Sequence, residues 1–317
     1  MYTFCSKIEI GGKIFGGVNN VRIKRSIHEL GATATIKVPV TAVLKQQGKP
    51  VAAIETAKVI KTGDIVLIKL GYNNNYNVEF KGYVKQLNLK TPLEIICEDS
   101  FYLCRKKSVT FSGKTTLAKV LQTCGLEIGH VVTLTLDSFQ VPNKPVSWVL
   151  GKLKTAYGLS IFFDLSGKIY ASEPFKVQGE TVKYKLRENV IKDDDLKFQK
   201  AEDVKLKIKA TCIYRDGTKV EATAGNEEGT EKKLYFYDVK DQNELAALAK
   251  AELKRHSYDG YTGKIQTFLF PYAAPTMIAE INDEQYKERD GRYYIESVET
   301  TFGTNGARRV VEIGIKV

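Results

Sequence analysis

Runs of alternating apolar and polar residues recur along most of this chain and constrain its fold more than any other feature. Asp203–Tyr214 alternates apolar residues with three lysines, and Val21–Ile27 alternates apolar residues with basic ones. Successive side chains of a β-strand point to opposite faces, so a period of two is typical of half-buried strands. The chain is therefore expected to be mainly β.

Residues 1–98 contain at least six such strands, separated by short turns. The strand-like runs are Lys7–Ile10, Lys13–Phe15, Val21–Ile27, Ala34–Val40, Ile65–Leu70, Asn77–Val84 and Leu93–Cys97. Pro39 cannot donate a ladder hydrogen bond, so it predicts a strand end or an edge strand. This many strands in about a hundred residues favours a nearly closed barrel or a sandwich. We predict a first β-barrel domain over residues 1–98.

Residues 99–176 change character and predict an α+β domain inserted between two β regions. Apolar residues at helical spacing indicate a helix that follows Ser112, which we expect to be its cap, and stops at Gly125. A second helix is expected over Pro145–Tyr157. Trp148, the only tryptophan of the chain, is expected in the core of this insert.

Residues 177–317 return to alternating strands and are predicted to form a second β-barrel domain. Arg215–Thr218 carries a strong hairpin signal, so the strands on either side of it are expected to pair. The clearest helix of the sequence, residues 241–256, has its leucines on one stripe and is expected to flank this barrel. The last two strands are predicted over Tyr293–Gly303 and Ala307–Val317.

Composition excludes several classes of protein. The chain is 43% hydrophobic and 27% charged, as expected of a soluble globular protein, and no apolar run approaches the roughly 18 residues of a membrane span. Its first ten residues lack the basic head and apolar stretch of a secretion signal. The five cysteines are scattered and form no CxxC pair, which argues against a zinc site or a disulfide framework and favours a reducing cytosol.

The net charge of +11 is concentrated in the N-terminal part of the chain. Residues 1–90 carry 14 basic against 5 acidic residues, whereas residues 201–317 carry 18 against 20. Such a basic region suits nucleic acid, an acidic protein or the acidic face of a neighbouring subunit, and a solvated lysine-rich surface is the plain alternative. Lysine outnumbers arginine there and aromatics are not interleaved, so specific nucleic-acid binding is not expected.

No motif supports catalysis, a metal site or a cofactor. Ser112–Thr116 resembles the end of a phosphate loop, but Ser108 stands where that motif requires a glycine. Asp193–Asp195 lacks the ligand spacing of a calcium loop. The three histidines are far apart, and no nucleophile elbow occurs. We predict a protein that is not an enzyme and holds neither cofactor nor metal.

The basic strand Val21–Ile27 is the first candidate for contact with a partner. Its alternation is expected to gather the basic residues Arg22, Lys24 and Arg25 on one face. This face is predicted to meet a neighbouring subunit.

The tip Gly71–Tyr76 is the second candidate. It combines three asparagines with tyrosines, and polar loops that carry tyrosine suit protein interfaces. Tyr72, Asn74 and Tyr76 are therefore predicted contact residues, with a plain hairpin tip as the alternative.

The order of elements in Asp241–Val317 resembles the C-terminal part of the phage late control protein D family, which supplies the hub of contractile-tail baseplates and the base of type VI secretion spikes. The matching segments are the alanine-rich helix, Gly263–Phe270, Gly291–Val298 and Phe302–Ile313. Earlier segments are similar to the first barrel and the insert of that family: Lys61–Ile68, Glu79–Gln86, Thr115–Leu126 and Pro145–Leu159.

This resemblance implies two tail-tube-like antiparallel β-barrels with the α+β insert between them. It further implies a homotrimer that joins a six-fold tail tube protein to a spike protein, with the tape-measure protein as a further candidate partner. Such a hub is made in the bacterial cytoplasm and assembled into a virion or a tail-like particle. A β-barrel module that binds carbohydrate or nucleic acid is the alternative, and a hydrolase with dispersed carboxylates is a third.

Overall fold

The computed structural model shows a chain dominated by one large antiparallel sheet. The described residues are 3–46, 49–136, 139–193, 195–214, 218–236, 239, 241–287 and 290–317. No helix among them is both long and apolar enough to cross a membrane. The centre of the predicted turn at Arg215–Thr218 and the middle of the Asp193–Asp195 run lie outside the described residues.

The N-terminal β region is an antiparallel sheet, and its hydrophobic core also contains Leu269, Phe302 and Ala307 of the C-terminal region. Its elements are β1 (Phe4–Ile10), β2 (Lys13–Phe15), β3 (Asn20–Ser26), β4 (Thr33–Val38), β5 (Thr41–Gln46), β6 (Lys49–Glu55), α1 (Thr56–Val59), β7 (Ile65–Tyr72), β8 (Asn75–Asn88) and β9 (Leu93–Glu98). The hydrogen-bonded order is β3-β4-β9-β8-β7-β1-β2. In β3, Val21 and Ile23 are buried whereas Arg22 and Lys24 are exposed, which confirms the alternation.

Strands β5 and β6 form a hairpin that pairs with no other described strand. It begins just after Pro39, and β4 ends at Val38 as that proline predicts. An isolated two-stranded hairpin is marginally stable in water. The buried Thr56 ties its base to the sheet, because its hydroxyl donates to the carbonyl of Pro39 at 2.7 Å and its N–H to that of Val40 at 2.8 Å.

The insert is an α+β unit with a separate hydrophobic core. Its elements are α2 (Phe101–Cys104), β10 (Ser108–Phe111), β11 (Thr115–Thr116), α3 (Leu117–Thr123), β12 (Ile128–Val131), β13 (Thr135–Leu136), β14 (Val141–Pro145), α4 (Val146–Tyr157), β15 (Ser160–Phe163) and β16 (Ile169–Ser172). Helix α4 begins at Val146, one residue later than predicted, and ends as predicted before Gly158, whose φ of 61° is the left-handed conformation of a helix stop.

The predicted cap of the first helix is wrong. Helix α3 begins at Leu117, and its cap is Thr116, whose hydroxyl accepts from the N–H of Lys119 at 3.3 Å. The residues after Ser112 are extended because Thr115 and Thr116 pair with β13 before the helix starts.

The predicted burial of Trp148 is also wrong. Its side chain belongs to α4 but is 43% exposed. The helix buries its opposite face, which carries Val146, Val149, Leu150 and Leu153. Trp148 therefore lies on the solvent side of the insert.

The C-terminal region contains the remaining elements. They are β17 (Thr181–Lys185), β18 (Val190–Lys192), β19 (Leu196–Gln199), a 3-10 turn (Ala201–Asp203), β20 (Leu206–Ile213), β21 (Lys219–Gly225), β22 (Thr230–Phe236), α5 (Gln242–His256), β23 (Gly260–Thr267), β24 (Ile278–Asn282), β25 (Gly291–Gly303) and β26 (Gly306–Lys316). Helix α5 is capped by Asp241, whose carboxylate accepts from the N–H of Glu244 at 2.9 Å. The hairpin of β20 and β21 forms as predicted.

Strands β20, β21 and β22 do not belong to a second barrel, contrary to expectation. They form their own three-stranded sheet, and α5 packs on it through Leu245 and Ala249. The apolar side chains of β20 alternate onto the face that α5 covers, so this unit buries its hydrophobic surface without the main sheet. The described residues between 206 and 256 thus pack around a core of their own.

The two β regions are joined in one sheet by a ladder between β3 and β25. Its register pairs Val21 with Phe302 and Ile23 with Thr300. The main sheet runs β18-β23-β26-β25-β3-β4-β9-β8-β7-β1-β2, with β17, β19 and β24 branching from this path. Among the described strands the ladders form this open sheet and do not close into a barrel.

Candidate partner interface

The basic strand β3 lies inside the sheet, between β4 and β25. Its outer face carries Arg22 and Lys24, both of which pair with Glu299 of β25. The Arg22 guanidinium donates to both carboxylate oxygens of Glu299 at 2.6 and 3.0 Å, and the Lys24 ammonium lies 3.6 Å from one of them. The hydrogen bond and the charge of Glu299 raise the pKa of Arg22. The two cations therefore stabilise the ladder between β3 and β25, which joins the two β regions of this chain.

The surface around this pair remains accessible and basic. The side chains of Arg22 and Lys24 are 53% and 58% exposed, against 26% for Glu299. Two cations share one carboxylate, so a positive charge is left over at a half-exposed site. The predicted contact with a partner is thus sterically open at Arg22 and Lys24.

Arg25 does not lie on that face, contrary to expectation. It follows Lys24 directly, so the period of two turns it to the opposite side of the sheet. There its guanidinium donates to the hydroxyl of Tyr272 at 2.9 Å and lines a cavity of 300 Å³. The cavity lies where the N-terminal β region, the insert and the C-terminal region meet.

The asparagine tip is a two-residue hairpin turn between β7 and β8. Asn73 and Asn74 have φ values of 51° and 62°, the left-handed conformation that the short polar side chain of asparagine tolerates. Asn74 and Tyr76 are exposed, and the Tyr76 hydroxyl lies 3.4 Å from the Asn74 side-chain oxygen. The predicted contact surface at this tip is formed by Asn74 and Tyr76.

Tyr72 has a different environment from the rest of the tip. It is 5% exposed, its hydroxyl donates to the Ala307 carbonyl at 3.1 Å, and it accepts from the N–H of Leu269 at 3.2 Å. Its ring also packs against Phe270 at 5.9 Å. Tyr72 therefore holds the N-terminal sheet to the C-terminal region and is not part of the exposed tip.

A buried ion pair, missed in the sequence analysis, strengthens the same junction. Arg309 of β26 is fully buried, and its guanidinium donates to the carboxylate of Glu79 on β8, which is 2% exposed. Arg309 also donates to the carbonyls of Leu269 at 2.5 Å and Pro271 at 3.1 Å. Thr300 donates to the second Glu79 oxygen at 3.4 Å.

The sequence does contain a signal for this pair. Arg309 is in phase with Ala307, Val311 and Ile313, so the period of two directs its charge into the core. Glu79 lies where the pairing of β7 and β8 slips by one residue, and this bulge turns Glu79 and Phe80 inward together. A charge in phase with a buried stripe indicates a buried partner.

The insert is attached to the N-terminal sheet through backbone contacts. Asp99 accepts from the N–H of Ala32 at 2.7 Å and from that of Phe101 at 2.9 Å. Burial raises the pKa of Asp99 to about 7. The hydroxyl of Ser160 donates to the carbonyl of Ile27 at 3.0 Å. These bonds fix the insert at the end of strand β3.

The described residues bear on two kinds of chemistry, metal binding and cysteine reactivity. They contain no group of three or more His, Cys, Asp or Glu side chains placed to hold a metal ion. Burial raises the pKa of the thiols of Cys97 and Cys104 to about 12, which makes them poor nucleophiles. What the geometry provides is an extended sheet with a basic outer patch and an exposed tip at Asn74 and Tyr76.

No protein-family model matches the sequence, and no curated protein is significantly similar to it. Solved structures do match along nearly the whole chain. A 43 kDa tail protein of prophage MuSo2 from Shewanella oneidensis is 17% identical with a TM-score of 0.60, and the match covers 98% of this chain and 97% of that one. A tail protein from Neisseria meningitidis MC58 is 10% identical with a TM-score of 0.62, covering 100% and 97%.

A type VI secretion component has a similar structure. The E. coli protein c3393, described as similar to the T4 tail proteins gp27 and gp5, is 8% identical with a TM-score of 0.55. The match covers 99% of this chain and 76% of that protein. The chain thus has the fold of these phage tail and secretion-system proteins, which confirms the baseplate-hub resemblance of Asp241–Val317 at the level of the fold.

Proposed function

We propose that this chain is a structural hub of a contractile tail or tail-like injection particle, and that three copies join the tail tube to a central spike. One observation carries the proposal: β3 and β25 join the two β regions side by side in a single sheet. Each chain thereby presents two β units in a fixed relation. Three such chains present six units, which matches the six-fold symmetry of a tube above and the three-fold symmetry of a spike below.

The rigidity of the junction supports this role. The ladder, the Arg309–Glu79 pair and the Tyr72 hydrogen bonds all cross between the N-terminal and C-terminal regions. A symmetry adaptor has to hold its two units at a constant angle, because a ring closes only if each interface repeats the same rotation. Each β region acts here as one tube-like unit, and the ends of the long sheet are where neighbouring copies meet.

The proposed work is done by interfaces and requires no catalysis. The Shewanella and Neisseria proteins that share the fold are tail proteins, and c3393 is a component of the type VI secretion system. We infer tail tube and spike proteins as partners, and assembly into a particle after synthesis in the bacterial cytoplasm. A carbohydrate- or nucleic-acid-binding module is the competing function, since the net charge is +11.

The decisive experiment measures the solution mass of the purified chain and images the same sample by negative-stain electron microscopy. A hub gives a mass near three times 35.5 kDa and rings of three-fold or pseudo-six-fold symmetry, alone or after addition of the spike. A monomer that stays monomeric with the spike and binds heparin or DNA with a steep salt dependence contradicts the hub and supports the binding module.

A charge-swap series tests the basic patch of β3. Arg22→Glu with Lys24→Glu is expected to block ring assembly on the tube, but it also repels Glu299 within the chain. Adding Glu299→Lys restores the internal pairs with inverted charge. If the patch meets a partner, the triple variant folds normally and still fails to assemble; if the triple variant assembles, the patch serves only the internal junction. Lys58→Glu is the exposed control in the same region.

A further inference from the structure

The exposed face of α4 carries an aromatic and basic surface that the sheet junction does not explain. Trp148 is 43% exposed, with the ammonium of Lys144 at 5.9 Å and that of Lys152 at 5.4 Å from its ring. An exposed aromatic ring flanked by two cations presents apolar surface and positive charge side by side, and aromatic side chains are enriched at protein interfaces. This face therefore differs from an ordinary solvated helix surface.

The two lysines have no anionic partner among the described residues. No described carboxylate lies within 4 Å of either ammonium, although Lys152 donates to the Gln140 carbonyl at 2.8 Å. Elsewhere the structure pairs lysines with glutamates, for example Lys24 with Glu299 and Lys85 with Glu98. The face of α4 thus presents uncompensated positive charge beside an apolar ring, and an anionic partner complements it.

The shape of the surface suits a helix. Gly151 lies in the middle of α4, where glycine costs about 0.5–1 kcal/mol relative to alanine. Apart from its chain neighbours and the backbone of its own helix, no atom lies within 4 Å of the position a Cβ would take, so packing inside the chain does not require this glycine. Thr155 lies one turn further along α4 on the same stripe, and its side chain is also short. A neighbouring backbone can therefore approach α4 closely beside Trp148.

A cleft of 720 Å³ borders this stripe on one side. The segment His28–Gly31 lines the side of the cleft opposite α4, and Trp148, Gly151 and Arg105 also line it. Arg105 is bound to Glu98, and the Lys154 ammonium donates to the His28 carbonyl. The cleft is also lined by Glu29 and Glu98, and its apolar lining is Leu30, Phe101 and Trp148. An apolar side chain of a docked helix therefore has room beside Trp148, while the carboxylates of that helix face Lys144 and Lys152 outside the cleft.

We propose that the α4 face, made of Trp148, Gly151, Lys152 and Thr155 of α4 together with Lys144 of β14, is a docking surface for an acidic amphipathic helix of a partner protein. The occupant places an apolar stripe over Trp148 and Gly151 and flanks it with glutamates or aspartates facing the two lysines. The surface belongs to the insert and not to the main sheet, so the proposal holds or fails independently of the hub function.

Trp148 makes the test direct, because it is the only tryptophan and its emission reports this face alone. The full chain is titrated with a stapled helical peptide that carries a leucine stripe flanked by glutamates, and with the same peptide carrying lysines instead. The glutamate peptide is expected to shift the emission to the blue in a saturable way and to bind about tenfold more tightly than the lysine peptide.

Charge reversal provides the matched variants. Lys144→Glu with Lys152→Glu is expected to weaken binding of the glutamate peptide about tenfold and to favour the lysine peptide. Lys250→Glu, an exposed lysine of α5, is expected to change neither affinity. Equal binding of the two peptides, or no spectral change with either, overturns the proposal. A blue shift that grows with protein concentration alone also overturns it, since the occupant is then a second copy.

Discussion

Replacing the buried Arg309 by methionine tests whether the two β regions are held together as one unit. Methionine keeps much of the apolar volume but leaves the Glu79 carboxylate buried without its cation. Removing one partner of a buried ion pair costs about 3–5 kcal/mol. The carbonyls of Leu269 and Pro271 also lose their donor, which is part of the same loss. We expect Arg309→Met to lower the free energy of unfolding by about 3–5 kcal/mol.

Urea unfolding followed by far-UV circular dichroism measures this loss, with the slope compared between variants to verify that the same surface unfolds. The double variant Glu79→Leu with Arg309→Met is expected to recover part of the stability, because an apolar pair replaces a broken ionic one. A double-mutant cycle should then give a coupling of about 2 kcal/mol or more between the two positions. Arg308→Met is the control, since this neighbouring side chain is only partly buried and stacks on Phe268.

Two results would refute this reasoning. If Arg309→Met loses less than about 1 kcal/mol, the pair does not hold the junction, whatever its burial. If the double variant is as unstable as the sum of the two single variants, the energetic link between Glu79 and Arg309 is absent and the loss comes from separate local effects.

Three further single substitutions are expected to change the stability of the chain in a stated direction. Tyr72→Phe should cost about 1–3 kcal/mol in urea unfolding, since it leaves the buried N–H of Leu269 without its acceptor; an unchanged midpoint would contradict this. Gly151→Ala should raise stability by about 0.5–1 kcal/mol, because the new methyl group meets no atom outside its own helix; a lower thermal midpoint would show a hidden contact. Burial raises the pKa of Asp99 to about 7, so the stability that its neutral carboxyl contributes is full below about pH 4 and declines as the pH rises toward 7. Thermal midpoints of Asp99→Asn measured across this range should lack the decline. Parallel pH profiles for the two proteins would contradict this prediction.

Local features of the sequence predicted local structure well. Helix α5 and helix α4 have close to the expected bounds because their end signals and apolar stripes lie within a few residues of one another: Asp241 caps α5, and Gly158 ends α4. The strands of the N-terminal region alternate as expected, and β4 ends before Pro39. The failures occurred where long-range packing decides: Trp148 shares helical spacing with core residues, yet only the position of the other elements determines which face of α4 is covered.

The sequence by itself determined that this chain is mainly β, with an α+β insert and one long C-terminal helix, because periodicity and capping are properties of neighbouring residues. Only the tertiary structure decided that β20, β21 and β22 leave the main sheet, that Arg25 and Tyr72 turn inward, and that Arg309 meets Glu79. Above all, it decided that β3 pairs with β25. The alternation of a strand does not specify which strand it pairs with, because the backbone hydrogen bonds are the same in every strand. Pairing between strands far apart in the sequence is therefore selected by the joint burial of their apolar faces.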